Sequence, residues 1–570
     1  MASLYPKKIN GKTYWYLREM ARVEGKPKMV SERYLGSAAE VAAAVAGGEA
    51  AMKPERTRHL AFGDVAAVWE VMTRLDVIGI VDAVTGGTVA GAGASTGTYL
   101  ALAALNRVVA PCSKLAFATW WQATAADRFT KIGASVLDHR RFWDAMHAVS
   151  LAELAEIERR VTAAMIKVFD LDTSALALDM TNFATYIDTG NDKAPIAQRG
   201  KAKQKRSDLR LVGLGLVVTR DGGIPLVSHA YAGNRPDVTQ FTTVIEKLTG
   251  GYQELLTAGT GPRTGCGEVT VVFDAGQNST ANFAYLAQSG LRYVGSVPPS
   301  DHPDLLALPA SRRRPVDAHR FPGLTALSTR RKIYGADRRV VLTHSPTLHD
   351  KQVRGFDQTL AKAGARLDDL AATLARGRTR RPREQVEAEI AGICRDTWAR
   401  RVIDWELTGD TPPEYRLSWH IDTRARTKLA GEVFGKRVLI TDREDWPLVE
   451  VVAGYRSQSD AKFGFRQLKD PHVASFSPMH HWTDHNIRVH VFTCVLALQI
   501  AHLMRREADR AGIHLSVREL LDHLADIQET VLIYPSTGGR PKARRMLTET
   551  NPDQAQLINI FNLQHWAPRS

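Results

Sequence analysis

Apolar residues recur at three- and four-residue spacing from about residue 60 to 170, as in AFGDVAAVWEVMTRLDVIGIVDAV, TYLALAALNRVV and LAELAEIERRVTAAMIKVF. That period predicts amphipathic helices. From residue 174 the pattern changes. SALALDM and EVTVVFDAG read as buried strands ending in Asp179 and Asp274. LRLVGLGLVVTRDGGIPLVSHAY reads as a hairpin turning at Asp221-Gly222-Gly223. DVTQFTTVIEKL and NSTANFAYLAQSG predict helices, the second closed by Gly290, and LRYVGSVPP predicts another strand. This order predicts an α/β fold, a mixed sheet with helices on its faces.

Other stretches set the domain plan. Residues 1–50 read as a small β unit, with turn signals at Asn10-Gly11-Lys12 and Glu24-Gly25-Lys26. Residues 51–170 read as a helical domain and 171–299 as the first part of the sheet core. Residues 300–450 are arginine-rich and read as an α+β insertion, holding helices near 354–375 and 383–400 and β-like runs YRLSWHID and KRVLITD. Residues 451–510 return to the core, and 511–570 read as a helical tail with a basic stretch, GGRPKARRML.

Charge narrows the choice of partner. The 570-residue chain carries a formal charge of +14, with the basic residues clustered, which favours a polyanion such as nucleic acid. No run of 18 apolar residues occurs. VFTCVLALQIAHLM, with Gln499 and His502, reads as a buried helix, so no membrane partner is expected. The N-terminus lacks a signal-peptide apolar region, and the four cysteines have no metal-ligand spacing. A reduced, cytoplasmic setting is the expectation. No GxSxG elbow supports a serine hydrolase.

Two carboxylates at strand ends can share a divalent cation. Mg²⁺ takes oxygen ligands and few protein carboxylates, leaving room for phosphates, and paired ions ~3.5–4 Å apart serve phosphodiester chemistry. Lys201, Lys203, Lys205 and Arg206 form a basic run suited to DNA phosphates. Thr181 and Asn182 are placed to orient Asp179. Asn234 reads as a turn residue. His480, His481, His485 and His490 lack a zinc pattern and read as structural or DNA-facing, and Trp482 as a core anchor or stacking surface.

LALDMTNFATYI, IAQRGKAKQKRSDLRLVGLGLVV, HAYAGNRPDVTQF, VTVVFDAGQNS and YRSQSDAKFGFRQLKD together resemble the DDE transposases of bacterial insertion sequences. The resemblance is to the branch with a Tyr-Arg-Glu-Lys signature, nearest its sixteen-thirty-four family. It implies a ribonuclease H-like core interrupted by an insertion domain. It also implies Mg²⁺ (or Mn²⁺) held by an acidic triad, double-stranded DNA as partner (element ends and target), a homodimer on DNA and a nucleoid-associated location. The first two acids fall on Asp179 and Asp274, and the third position falls on Lys462. Within the signature, Tyr455 and Lys469 match and imply contacts to DNA phosphates, Gln458 replaces the arginine, and Arg456 is its candidate substitute.

A lysine at the third position is expected to repel a metal ion and impair cleavage. Asp460 lies two residues before Lys462, about 200° around a helix, and is a poor replacement. The expected function is a DDE transposase impaired by Lys462. The alternatives are an inactive relative that binds DNA ends and a ribonuclease H-like nuclease that does not transpose.

Overall fold

The computed structural model describes residues 2–23, 26–42, 54–87, 93–203, 206, 208–257, 269–535 and 542–569. It divides into two compact units. One comprises residues 1–66, 120–131 and 522–570; the other comprises 67–119 and 132–521.

In the first unit, strands Ala2–Ile9, Lys12–Val23 and Lys26–Ser37 form an antiparallel sheet. Its first turn has Asn10 and Gly11 both at positive φ (49° and 75°), the two-residue geometry that Asn-Gly favours. The second expected turn falls on residues 24–25, outside the described residues. A second sheet pairs Arg56–Ala61, Gln528–Ile533 and Ala543–Leu547. The tail was expected to be helical, and this is a correction: two of its segments are strands. Glu529 explains part of it. Its fully buried carboxylate meets Arg128 at 2.7 Å and Arg545 at 2.5 Å, anchoring a short strand whose apolar pattern is weak.

The second unit is built on a nine-stranded mixed sheet. Its strands are β1 (Ala175–Thr185), β2 (Arg210–Thr219), β3 (Pro225–Ala232), β4 (Thr270–Val272), β5 (Arg292–Val297), β6 (Arg314–Pro315), β7 (Thr325–Ile333), β8 (Ala336–His344) and β9 (Lys436–Thr441). The spatial order is β6-β7-β8-β9-β5-β4-β1-β2-β3. β1, β2 and β3 form an antiparallel meander, and β4 and β5 run parallel to β1. That arrangement is compatible with a ribonuclease H-like fold. The flanking helices are α1 (Thr96–Val109), α2 (Leu151–Phe169), α3 (Asp237–Thr257), α4 (Thr280–Ser289), α5 (Pro346–Ala375), α6 (Leu448–Arg456), α7 (Gln458–Lys469) and α8 (Asp484–Arg510).

Two groupings differ from the composition-based plan. Residues 67–119 and 132–170 belong to the same compact unit as the sheet. The 300–450 stretch contributes β6–β9 to the main sheet, Val438 lying opposite Val297. Only its middle builds a core of its own: Phe356, Leu360, Leu367 and Leu374 of α5 pack with Val386, Ile390 and Leu429, beside the hairpin Ile403–Thr408/Arg416–Ile421. α8 is long and apolar enough to cross a membrane by length and composition, and its apolar window is 94% buried inside the protein.

Candidate active site

β1 and β4 pair in parallel with Ala175 opposite Thr270 and Ala177 opposite Val272, an offset of 95 residues. The same offset carries Asp179 to Asp274. Asp179 lies inside β1, which runs on to Thr185 instead of ending at the aspartate as the apolar pattern predicts, while Asp274 lies just past the C-terminal end of β4. The charge of Asp274 is felt at Asp179, so the two carboxylates are neighbours beside that strand end. This is where open α/β sheets bind ligands.

Asp179 is 8% exposed and accepts a hydrogen bond from the Met180 backbone N–H at 2.9 Å. Burial, then the charge of Asp274, pushes its carboxyl up to about 6. Nearby Lys462 and Lys203 act in the opposite direction. Asp274 uses Oδ1 to accept from the Gly276 N–H, capping a short 3₁₀ turn. Its Oδ2 faces Lys462 Nζ at 3.3 Å.

Lys462 reaches Asp274 because α7 is amphipathic. Ala461, Phe465 and Leu468 are buried, leaving Lys462 on the open side. Tyr455 is not on that helix: Ser457 separates α6 from α7, so the Tyr455–Lys462 spacing crosses a helix junction. Asp460 sits away from Asp274, against the Gly223 turn and within the field of Arg505, and burial raises its carboxyl to about 6.

Cations surround the two aspartates. Lys203 pairs with Asp237 at 2.9 Å and donates to the Met180 carbonyl. Lys469 donates to Thr181 Oγ1 at 2.9 Å. Asn182 does not orient Asp179; it clamps the basic run, donating to the Lys201 carbonyl and accepting from the Lys203 N–H. Lys201 is exposed, Arg206 is held by Asp208 at 2.7 Å, and Lys205 lies outside the described residues. Asp237, which the sequence reading missed, fixes Lys203 and accepts from the Tyr231 hydroxyl at 2.7 Å. The GNRPD stretch was its only signal.

A cleft of about 340 Å³ opens beside Lys462, lined by Tyr455, Arg456, Gln458, Ser459 and Arg437 among others. The Tyr455 ring is 8% exposed and packs with Val272, Val294 and Leu439. Its hydroxyl donates to Ser296 Oγ at 3.1 Å and accepts from Arg437 at 3.3 Å. Gln458 is 3% exposed. Tyr455, on α6, and Gln458, on α7, are thus largely buried residues of the cleft wall. Arg456, Arg437 and Lys462 are the cations that line this cleft. Burial, then the charge of Arg437, lowers the Arg456 guanidinium.

The donor set fits one divalent cation between Asp179 and Asp274, and not two. Gln277 Oε1 and Asn278 Oδ1, close to Asp274 in sequence, are buried oxygens without a hydrogen-bond partner. They are of the hard-oxygen type Mg²⁺ takes. Among the described residues, no group of three or more His, Cys, Asp or Glu side chains converges to hold a metal. Of the histidines, His481 and His490 are buried and His485 lies 3.1 Å from the Met146 carbonyl. Trp482 is 57% exposed and Asn234 lies in an exposed turn.

No protein-family model matches the chain, and no curated protein matches it. Among solved structures it is similar to the cryo-EM structure of a piggyBac transposase synaptic complex with hairpin DNA. The two are 10% identical over 83% of this chain and 82% of that chain, with a TM-score of 0.32.

Proposed function

We propose that the chain is a DDE-type transposase relative that engages DNA at this sheet edge and is impaired in strand cleavage by Lys462. The observation that carries the reading is the proximity of the Asp179 and Asp274 carboxylates, with a lysine ammonium 3.3 Å from the second. Lys203, Lys469, Arg437 and Arg456 supply the positive field that holds a phosphodiester over the carboxylates.

Asp179 and Asp274 are the residues that would hold Mg²⁺ or Mn²⁺, and such an ion would polarise the scissile phosphate. Lys462 competes for Asp274. Its charge offsets the negative charge on which the ion depends, and an ammonium has no lone pair to offer as a ligand. The two aspartates alone retain weak binding of a single cation, and DNA binding survives because the cations around the site are intact. Assembly as a homodimer on DNA belongs to the same proposal.

The test is a cleavage and strand-transfer assay on duplexes carrying the element's ends, in Mg²⁺ and in Mn²⁺, with this chain and its Lys462→Glu variant. The reading expects the glutamate variant to cut and join and this chain to bind with little cutting. Cutting without joining or end preference would favour a nuclease that does not transpose. Equal cutting by both proteins would remove Lys462 from the third ligand position.

A further inference from the structure

A second cationic site lies in the same compact unit, away from the carboxylates. Arg107 near the end of α1, Lys114, Trp143, Pro478 and His481 line a pocket of about 260 Å³. Its floor is positively charged and buried. Arg107 is 2% exposed, and its guanidinium donates to the carbonyls of Ser475 at 3.3 Å, Ser477 at 3.0 Å, Cys112 at 3.4 Å and Pro478 at 2.9 Å, leaving only its Nε without a partner. Lys114 is 8% exposed, and its Nζ makes no hydrogen bond, lying 5.6 Å from the Phe142 ring centre. No carboxylate lines the pocket, and Asp138 sits beside His139 at its rim.

A buried ammonium without an acceptor, as at Lys114, is costly. Burial, then the charge of Arg107, depresses the Lys114 ammonium to about 7. An ammonium with its donors unused, beside the Arg107 guanidinium in the wall of an open pocket, calls for an anion. The rim is different: Trp143 and Leu115 are 43% and 73% exposed. An apolar, aromatic lip over a cationic floor matches a molecule with a phosphate at one end and a flat ring at the other.

We propose that this pocket binds a phosphate group carried by a nucleotide, with Lys114 receiving the phosphate in the field of Arg107 and Trp143 stacking the base. The assignment does not rest on the catalytic reading, since none of its residues belongs to the carboxylate site.

Calorimetric titration of the full chain tests it, using inorganic phosphate, a 5′-phosphorylated dinucleotide and the same dinucleotide without its 5′-phosphate, at matched ionic strength. Saturable binding of both phosphate ligands is expected, the phosphorylated dinucleotide binding about tenfold or more tightly. Lys114→Met should weaken both about tenfold or more, the loss of a charge-assisted hydrogen bond. Trp143→Ala, at an exposed position that leaves the fold intact, should remove only the dinucleotide's advantage. Absence of saturable phosphate binding, or Lys114→Met binding as the parent does, would overturn the site. Equal affinity for the two phosphate ligands would overturn the nucleotide assignment.

Discussion

Lys462 Nζ stands 3.3 Å from Oδ2 of Asp274, and both side chains are partly open to solvent, 52% and 31% exposed. An ion pair so exposed contributes about 0–1 kcal/mol to stability. Its consequence is for the site: the oxygen a cation would use is taken by a fixed positive charge. Removing the charge without supplying a ligand separates these effects. Lys462→Met should raise divalent-cation affinity by about tenfold, since a unit charge at ~4 Å is worth a few kcal/mol before screening. It should leave cleavage undetected. Calorimetry with Ca²⁺, alongside the cleavage assay, checks both halves.

The cleft arginines make a separate prediction. Arg437 and Arg456 line the same cleft. If each neutralises one phosphate, the double variant Arg437→Ala/Arg456→Ala should lower the slope of log K against log salt by about 1.8, at ~0.9 per contact. Binding to unrelated duplexes should weaken in parallel. A series of fluorescence anisotropy titrations across salt concentrations measures the slope, and an unchanged slope removes the arginines from the interface.

Asp460 is the nearest other acid in the signature stretch, and it lies against the Gly223 turn in the field of Arg505. Burial raises its carboxyl from the ordinary carboxylate range to about 6. A raised folded-state value means the contribution to stability is fully present below about pH 4. It is lost as pH rises through 6. Asp460→Asn should therefore melt about 1–2 °C higher than the parent at pH 8 and at the same temperature near pH 4. Cation affinity should not change. A loss of cation binding in this variant would mean that Asp460 is a ligand after all.

Much of the site could be read from the chain because its residues announce themselves locally. Asp274 closes an apolar run, whereas β1 continues past Asp179 to Thr185, and the hairpin at Asp221-Gly222-Gly223 and the helix end at Gly290 (φ 75°) follow from turn chemistry. The 95-residue interval became meaningful only once β1 and β4 were seen to pair, a non-local fact no window of sequence contains. Pairing of Arg56–Ala61 with Gln528–Ile533 is more distant still. Burial of Tyr455 and Gln458 was obscured by the junction at Ser457, where periodicity resets. The roles of Asp237 and Asn182, which hold Lys203 and its backbone, depend on contacts across the site.

The central claim is that Lys462 occupies the place of a third carboxylate ligand. A calorimetric titration of this chain and Lys462→Glu with Mn²⁺, at neutral pH and without DNA, tests it most directly. The account predicts weak binding of at most one ion by this chain, and binding at least about a hundredfold tighter, with a second ion, by the glutamate variant, the change being two charge units. Identical isotherms for the two proteins would contradict it and place the third ligand elsewhere in the chain.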